Sequence, residues 1–391
     1  MTKEEYFALF DQGVNRENTG CCKWDGRQAV FGRADATPLW VADMDFASPA
    51  EVTDALVARA RHGVFGYPDD DPAIAQTVCD WMKARHGLSI APEQTLPSPG
   101  VVDSLSFAIN AFTDPGDLVA IQPPVYGPFE RSVKNTGRRL YKNCLRQTEN
   151  GWEMDLENLE VGLRRGVKML LLCSPHNPVG RVWTRGELQA AGDLCERYGA
   201  RVVSDEIHAD FEMPGFRHTP MLCVHPNAVS FVSATKTFNL AGMRSSTMLF
   251  GNAADREKMQ AFLTRMGLGE INLFGKLAQT AAYAHGAPWL DALLEYLDGT
   301  RSAVEALIAE KMPRVKVSRL EGTYLMWLDM RDYGLEQKEL ERKMVFEAGA
   351  AFSGGMSFCE EGRGFLRMNI ATPRANVLGA LARAADVLAK I

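Results

Sequence analysis

The sequence lacks the features that place a chain in a membrane or send it across one. No uninterrupted apolar run in the 391 residues reaches about 18 residues, the length that spans a bilayer. The amino-terminal stretch MTKEEYFALFDQGVNREN contains charged residues where a signal peptide has an apolar core. Internal repeats and low-complexity segments are also missing. We therefore expect a soluble, cytoplasmic protein with no membrane partner.

The eight cysteines show neither a metal-binding nor a disulfide spacing. They occupy positions 21, 22, 79, 144, 173, 195, 223 and 359, with no C-x-x-C pair. Scattered cysteines of this kind are typical of reduced, partly buried thiols. The adjacent Cys21 and Cys22 leave a redox switch or part of a metal site as the alternative.

Charge of one sign is not concentrated anywhere along the chain. The net charge is −6 and the basic residues are scattered, which argues against nucleic acid and against anionic membranes as partners. The length and the 46% apolar composition suffice for two domains around a shared cleft. Small molecules are the expected partners.

Short apolar runs alternate with helical periodicity between about residues 90 and 250, a pattern typical of a parallel sheet flanked by helices. Each expected strand is followed by a polar loop. Because ligands of open α/β sheets bind outside the carboxyl ends of the strands, these loops should meet at one site. The strands are DLVAIQ (117–122), KMLLLC (168–173), RVVSD (201–205) and VSFVSA (229–234), and the loops are PPVYGPF, SPHNPVG, DEIHAD and TKTFN.

The pattern changes after about residue 288. Long helical segments, 289–312 and 374–391, enclose two strand candidates, TYLMWLDM and GFLRMNIA. The sequence therefore predicts a large α/β domain over 49–287 and a smaller α+β domain over 288–391. Residues 1–48 are expected to pack with the smaller domain.

Asp205 and Lys236 follow two of the expected strands, so we predict that they share a desolvated pocket. A buried salt bridge is the alternative interpretation. Ser233, Thr235 and Arg244 surround the lysine in SATKTFNLAGMR, and Pro-Gly opens a helix near Gly100. A helix amino terminus binds phosphate well, although Pro-Gly is also an ordinary helix start. A phosphate beside a lysine amine and a carboxylate indicates pyridoxal 5′-phosphate (PLP).

The motifs SPHNPVG, SDEIH, SATKTFNLAGMR and FLRMNIATPR occur in an order and spacing that resembles the fold type I PLP enzymes of aminotransferase class I/II, over nearly the whole chain. PLWVADMDFASP, GAPWLDAL, GTYLMWLDMR and EEGRGFLRMN resemble the cystathionine β-lyase branch of the MalY/PatB type. The resemblance implies the PLP-dependent transferase fold, with a mainly parallel sheet in the large domain.

The same resemblance implies a role for individual residues. Lys236 would form the imine with PLP, Asp205 would pair with the ring nitrogen, and Arg367 would bind the substrate α-carboxylate. Asn177 would contact the ring hydroxyl oxygen and Tyr126 the ring face. The phosphate would be bound by Ser233, Thr235, Arg244 and the backbone near Gly100, Val101 and Val102, and Tyr67 would bind the phosphate of the partner subunit. Asn177 and the backbone of Ala42 would contact the substrate.

Simpler interpretations of these residues remain open at this stage. Asn177 would also suit a turn before Pro178, the two tyrosines would suit ordinary aromatic packing, and Arg367 on an alternating strand would suit a solvent-facing position. His208 stands where many relatives have a tyrosine, and its hydrogen-bond partner is undetermined. Asp205, Glu206, His208 and Asp210 together also suit a metal site.

The resemblance implies a carbon–sulfur β-lyase that cleaves cystathionine to homocysteine, pyruvate and ammonia, in methionine biosynthesis. The residues of an aminotransferase are nearly the same, so that activity is the alternative. A PLP-binding protein that mainly regulates a partner is a second alternative. A symmetric homodimer with shared active sites follows from the role implied for Tyr67.

Overall fold

The computed structural model describes residues 1–69, 72–149, 151–268 and 271–391. Its helices are α1 (Lys3–Gln12), α2 (Cys22–Asp25), α3 (Arg27–Phe31), α4 (Ala50–His62), α5 (Pro72–His86), α6 (Val101–Phe112), α7 (Pro128–Asn135), α8 (Leu156–Arg164), α9 (Arg185–Arg197), α10 (Ala234–Thr237), α11 (Ala253–Met266), α12 (Leu273–His285), α13 (Ala287–Lys311), α14 (Gln337–Arg342) and α15 (Arg374–Leu388). Its strands are β1 (Thr37–Leu39), β2 (Thr95–Ser98), β3 (Leu118–Ile121), β4 (Arg139–Lys142), β5 (Arg146–Thr148), β6 (Gly151–Glu153), β7 (Val167–Cys173), β8 (Arg201–Asp205), β9 (Val229–Val232), β10 (Ser246–Phe250), β11 (Lys316–Val317), β12 (Leu325–Asp329), β13 (Ala350–Gly354) and β14 (Phe365–Asn369).

A seven-stranded sheet in the order β2-β10-β9-β8-β7-β3-β4 forms the larger layer. The strands from β9 to β4 pair in parallel, whereas β10 is antiparallel to both of its neighbours. Helices pack against this sheet, and β9 and β10 are buried along their whole length. The four strands predicted from the sequence are β3, β7, β8 and β9, and they are contiguous in this sheet.

A five-stranded sheet in the order β1-β13-β14-β12-β11 forms the smaller layer. The long helix α13 and the last helix α15 pack against each other beside it, and Val377, Leu381, Ala384 and Leu388 of α15 are buried. The amino-terminal segment contributes to this layer, because β1 pairs in parallel with β13. Phe10 of α1 also packs its ring 5.4 Å from that of Tyr296 in α13.

The described cysteines are all free thiols. In the described part of the chain, no helix has both the length and the apolar character needed to cross a membrane.

Candidate active site

The candidate site lies at the carboxyl edge of the seven-stranded sheet. Asp205 is the last residue of β8 and is level with Phe231 of β9 in the parallel register. Ser233 follows β9 and caps α10, the single helical turn that contains Lys236. Neighbouring parallel strands therefore bring Asp205 and Lys236 to the same edge, where the sequence predicted them.

Asp205 is a buried carboxylate with few partners. Asp205 is 5% exposed, and its Oδ1 accepts a hydrogen bond from the backbone N–H of Ile207 at 3.0 Å. Burial raises the pKa of Asp205 to about 7, because a desolvated carboxylate favours its neutral form. A cationic hydrogen-bond donor placed beside this oxygen would restore the charged form.

Lys236 is partly buried and is not held by an acidic side chain. Its Nζ donates a hydrogen bond to the carbonyl oxygen of Ala42, and burial lowers the pKa of Lys236 to about 8. Among the residues that the structure describes, no carboxylate forms an ion pair with Nζ. The salt-bridge interpretation of Asp205 and Lys236 is therefore wrong, because the two groups sit at one edge without pairing.

The expected phosphate-binding residues lie around the amino terminus of α6. The helix begins at Val101 after Gly100, which provides no side-chain cap, so the backbone N–H groups of the first turn are available. Arg244 reaches this turn, since its Nη2 lies 3.0 Å from a carboxylate oxygen of Asp103. The helix start and Arg244 therefore come together, as predicted.

Ser233 and Thr235 form a small hydroxyl pair before Lys236. Their oxygens lie 2.7 Å apart, and the backbone N–H of Thr235 donates to Ser233 Oγ at 3.0 Å. Ser233 also donates to the carbonyl of Ser245 at 2.6 Å. These bonds fix the start of α10 next to the loop that contains Arg244.

Arg367 lies in the middle of β14 as a buried cation. It is 4% exposed, so the solvent-facing interpretation is wrong. Its Nη2 donates to the carbonyl of Trp40 at 2.7 Å and its Nη1 to Asn177 Oδ1 at 3.1 Å, while the ring of Phe358 lies 4.7 Å from the guanidinium carbon. Among the described residues, its buried Nε has no hydrogen-bond partner, and every partner of the guanidinium is neutral.

Burial without a counter-ion lowers the pKa of Arg367 to about 10. Among the described residues no carboxylate pairs with it. A buried guanidinium of this kind suits a carboxylate ligand, which it binds through parallel N–H donors.

Asn177 connects the sheet edge with Arg367. Its Oδ1 accepts from Arg367, which leaves its amide nitrogen free to donate elsewhere. Its backbone carbonyl accepts from the N–H of Tyr126 at 3.1 Å. Asn177 thus does more than shape the turn before Pro178, and it holds Tyr126, which is partly exposed, at the rim of the site.

The carbonyl oxygen of Ala42 accepts hydrogen bonds from two side chains, and one of them, Tyr324, was not expected from the sequence. Besides Lys236, the hydroxyl of Tyr324 donates to it at 3.0 Å. Tyr324 is buried and immediately precedes β12. The only available signal was its place in the motif GTYLMWLDMR, which by itself says nothing about a contact with residue 42.

His208 lies inside the site as a neutral imidazole. Its ring packs against that of Tyr324 with a centroid separation of 5.9 Å, and its Nδ1 has no hydrogen-bond partner. Burial, with the nearby charges of Lys236 and Arg367, holds the pKa of His208 well below its usual value. Among the described residues, His208 therefore packs in the site without a hydrogen bond to Nδ1.

The acidic residues of the DEIHAD loop do not share a ligand. Glu206 faces His218, with 3.3 Å between Oε2 and Nε2, whereas Asp210 faces His86 at 2.8 Å. Within the described ranges, no group of His, Cys, Asp and Glu side chains is arranged to hold a metal ion. The metal interpretation of this loop is therefore wrong, because its side chains point to different partners.

Tyr67 is 99% exposed, so a single chain does not bring it into the site. The role expected for it needs a second subunit and stays a prediction. The individual roles of the other site residues likewise stay predictions, although the strand register and hydrogen bonds bring Asp205, Lys236 and Asn177 to one edge of the sheet.

Comparisons with known proteins agree with this geometry. The family model "Aminotransferase class I and II" matches residues 35–384, and the chain belongs to this family. It is 40% identical to cystathionine beta-lyase PatB of Bacillus subtilis, over 96% of this chain and 98% of that protein. It is 34% identical to protein MalY of Escherichia coli, over 94% and 95% of the two chains.

A solved structure shows the same architecture. Cystalysin from Treponema denticola, which contains a pyridoxal 5′-phosphate cofactor, superposes with a TM-score of 0.94 at 33% identity, covering 97% of this chain and 98% of that one. The fold is therefore that of the fold type I PLP-dependent transferases, as the sequence motifs implied.

Proposed function

We propose that this protein is a PLP-dependent carbon–sulfur β-lyase that cleaves cystathionine and related cysteine thioethers to a thiol, pyruvate and ammonia. The observation that carries the proposal is the buried guanidinium of Arg367, whose partners among the described residues are all neutral and whose charge is close enough to Lys236 to help lower the pKa of that amine. The name of the relative PatB, a cystathionine beta-lyase, supports the reaction.

The residues at the sheet edge fit PLP. Asp205 offers a desolvated carboxylate for a protonated ring nitrogen, and Lys236 offers an amine without an acidic partner. The first turn of α6 and Arg244 would bind the phosphate, while the free amide nitrogen of Asn177 would donate to the ring hydroxyl oxygen. Bound PLP supplies an aldehyde that links covalently to amines and a ring that accepts electrons from the adjacent carbon.

Substrate orientation falls to Arg367. Its contacts with Trp40 and Asn177 fix the plane of the guanidinium, and the stacked ring of Phe358 prevents it from swinging away. A substrate α-carboxylate that pairs with it would neutralise the charge and exclude water from the cleft. Binding energy is thereby used to orient the carbon that loses its proton.

Proton transfer falls to Lys236. With a pKa of about 8, its Nζ exists in both charged and neutral forms near neutral pH, so it can take a proton from the substrate α-carbon and give it up again. The carbonyl of Ala42 and the short helix α10 hold Nζ in place. Removal of this proton allows the bond to sulfur on the next carbon to break.

An aminotransferase is the second candidate, because family membership alone admits it and the same residues would serve it. The two activities differ in their products. Purified protein incubated with PLP and cystathionine should release free thiol and pyruvate in equal amounts, and the Lys236→Ala variant should release neither. If the wild-type protein instead converts amino donors to keto acids without releasing thiol, the lyase proposal is wrong.

We also propose a cytoplasmic homodimer with shared sites. Val64, Phe65 and Tyr67 expose more than half of their surface in one short segment, and an apolar patch of this kind suits a contact with a second copy. In that dimer Tyr67 would reach the phosphate of the partner's cofactor. The division into a large domain (49–287) and a small one (1–48 with 288–391) is part of this proposal.

Mixing two inactive variants tests the shared site. A Lys236→Ala subunit paired with a Tyr67→Ala subunit rebuilds one intact site in each mixed dimer, so refolding an equal mixture should restore about a quarter of wild-type activity. Recovery of no more activity than the separate variants show would contradict the shared site.

A further inference from the structure

Asp210 is a buried carboxylate that the reaction described above does not use. Its Oδ2 accepts a hydrogen bond from the hydroxyl of Thr237 at 2.6 Å. Its Oδ1 accepts from Nε2 of His86 at 2.8 Å and from Nε1 of Trp81 at 3.0 Å. A buried carboxylate with three donors is a fixed anchor, because loss of any one of them would leave a buried polar group unpaired.

Thr237 connects this carboxylate to the helix that contains Lys236. It follows Lys236 directly and is the last residue of α10, which has only four residues. So short a helix does not hold itself together, since helix formation needs several turns to repay its nucleation cost. Side-chain contacts must therefore set its orientation, and with it the direction of the Lys236 side chain.

The two ends of α10 are held by different parts of the molecule. Ser233 caps the first end and is bonded to the loop before β10. The other end is tied through Asp210 to α5, which contributes both Trp81 and His86. The ring of Trp81 packs 5.5 Å from that of Phe238, the residue after Thr237, so α5 supports this end of α10 by packing as well.

We propose that Asp210 is a positioning residue for Lys236, acting through the hydroxyl of Thr237 and held in turn by His86 and Trp81. This inference rests on the proposed function of Lys236 as the proton-transfer group. Substrate binding is assigned to Arg367 and Asn177, whose hydrogen bonds in the described part of the chain involve neither α10 nor Asp210. A loosened α10 should therefore slow the chemical step and leave substrate affinity nearly unchanged.

The test uses a pair of nearly isosteric changes in the holoenzyme. Thr237→Val keeps the shape but removes the hydroxyl donor, and we expect kcat to fall about 10- to 100-fold, the effect of a misplaced reacting group, with KM within about twofold of wild type. Thr237→Ser restores the donor and should recover most of kcat. The visible circular dichroism of bound PLP, which reports how the cofactor is held, should change in the valine variant and return in the serine variant.

Thr300 provides a matched control. It is fully buried in α13, and its hydroxyl donates to the carbonyl of Tyr296 at 3.0 Å and accepts from Nε of Arg374 at 3.2 Å, so it contacts none of the site residues. Thr300→Val should lower the melting temperature but leave kcat and the visible circular dichroism as in wild type. Asp210→Asn, which replaces one acceptor oxygen by a donor, should behave like Thr237→Val.

The positioning role is wrong if Thr237→Val keeps kcat within twofold of wild type with an unchanged visible signal. It is also wrong if serine fails to restore activity or if Thr300→Val loses as much kcat. These outcomes are read against an active wild-type enzyme. A wild-type protein that binds no PLP and turns over no thioether contradicts the proposed function instead.

Discussion

Two arginines, both largely removed from water, show opposite surroundings. Arg181, whose side chain is 12% exposed, forms ion pairs with Glu321 at 2.7 Å and with Glu187 at 2.9 Å. Arg367 is buried more deeply and has only neutral partners. Charge in a desolvated setting is costly without a partner. The first arginine is therefore satisfied within the chain, whereas the second is left to pair with something from outside.

Two lysines repeat the contrast. Lys23 is fully buried and lies 2.9 Å from Asp45 and 3.7 Å from Asp43. Lys236 donates only to a backbone carbonyl, and its pKa is lowered to about 8. Arg181 and Lys23 thus have internal counter-ions, whereas among the described residues Arg367 and Lys236 form no ion pair with a carboxylate. We infer that these two cations act on a ligand.

The largest effect should come from removing the unpaired amine. Lys236→Ala eliminates the group that binds PLP and transfers the proton, so we expect kcat with cystathionine to fall by at least about 1000-fold. Lys168, an exposed lysine on β7, is the control, and its alanine variant should keep full activity. Activity of Lys236→Ala within tenfold of wild type would remove the basis of the account.

The two arginines should show opposite phenotypes when each is changed to methionine: one variant should lose activity and the other stability. Arg367→Met should lower kcat/KM by about 100-fold, because the pairing between the guanidinium and the substrate α-carboxylate is lost. A buried pairing of charges contributes ~3 kcal/mol. Arg181→Met should leave KM unchanged but lower the free energy of unfolding by about 3 kcal/mol, because two carboxylates lose their partner. Steady-state kinetics and urea unfolding of both variants check this. Equal effects of the two changes on kcat/KM would break the comparison.

The two lysines should differ in the sign of their effect on stability. In the cofactor-free protein at pH 7, Lys236→Met removes a poorly compensated charge and should raise the free energy of unfolding by up to about 2 kcal/mol. Lys23→Met breaks a buried ion pair and should lower it by about 3 kcal/mol. Urea denaturation of the two apo variants measures both. Destabilisation of similar size in both would show that Lys236 is held like Lys23.

The last prediction concerns the pH dependence of the free energy of unfolding in the cofactor-free protein. The folded state keeps the Asp205 proton up to a pKa of about 7, whereas the unfolded state loses it near pH 4. The folded state therefore binds more protons between these values, and the contribution of Asp205 to stability falls as pH rises from 4 to 7. Asp205 should give the free energy of unfolding a slope of at most about 1.4 kcal/mol per pH unit. Asp205→Asn should remove this slope in unfolding experiments across that range. An unchanged slope would contradict the raised pKa.

Much of the site could be predicted because it depends on strand order. Parallel strands end at one edge, so the residues that follow β8 and β9 had to meet there, and the position of Asp205 relative to Lys236 follows from that rule. The role of Arg367 could be predicted only from its motif. Its alternation with apolar neighbours along the strand suited an exposed position equally well.

Pairing between distant side chains could not be predicted. The sequence left a salt bridge between Asp205 and Lys236 open, and only the three-dimensional contacts show that Ala42 takes that place. Spacing within DEIHAD suggested one metal site, but the loop directs Glu206 and Asp210 to partners on other elements. These contacts depend on how helices and loops pack, which local patterns do not specify.

The most direct measurement of the central claim is the location of the cofactor. Wild-type protein is incubated with PLP, reduced with borohydride, digested and mapped by mass spectrometry. The unpaired amine at the sheet edge predicts a single reduced cofactor on the peptide that contains Lys236. Cofactor found only on other lysines, or on none, would contradict the account.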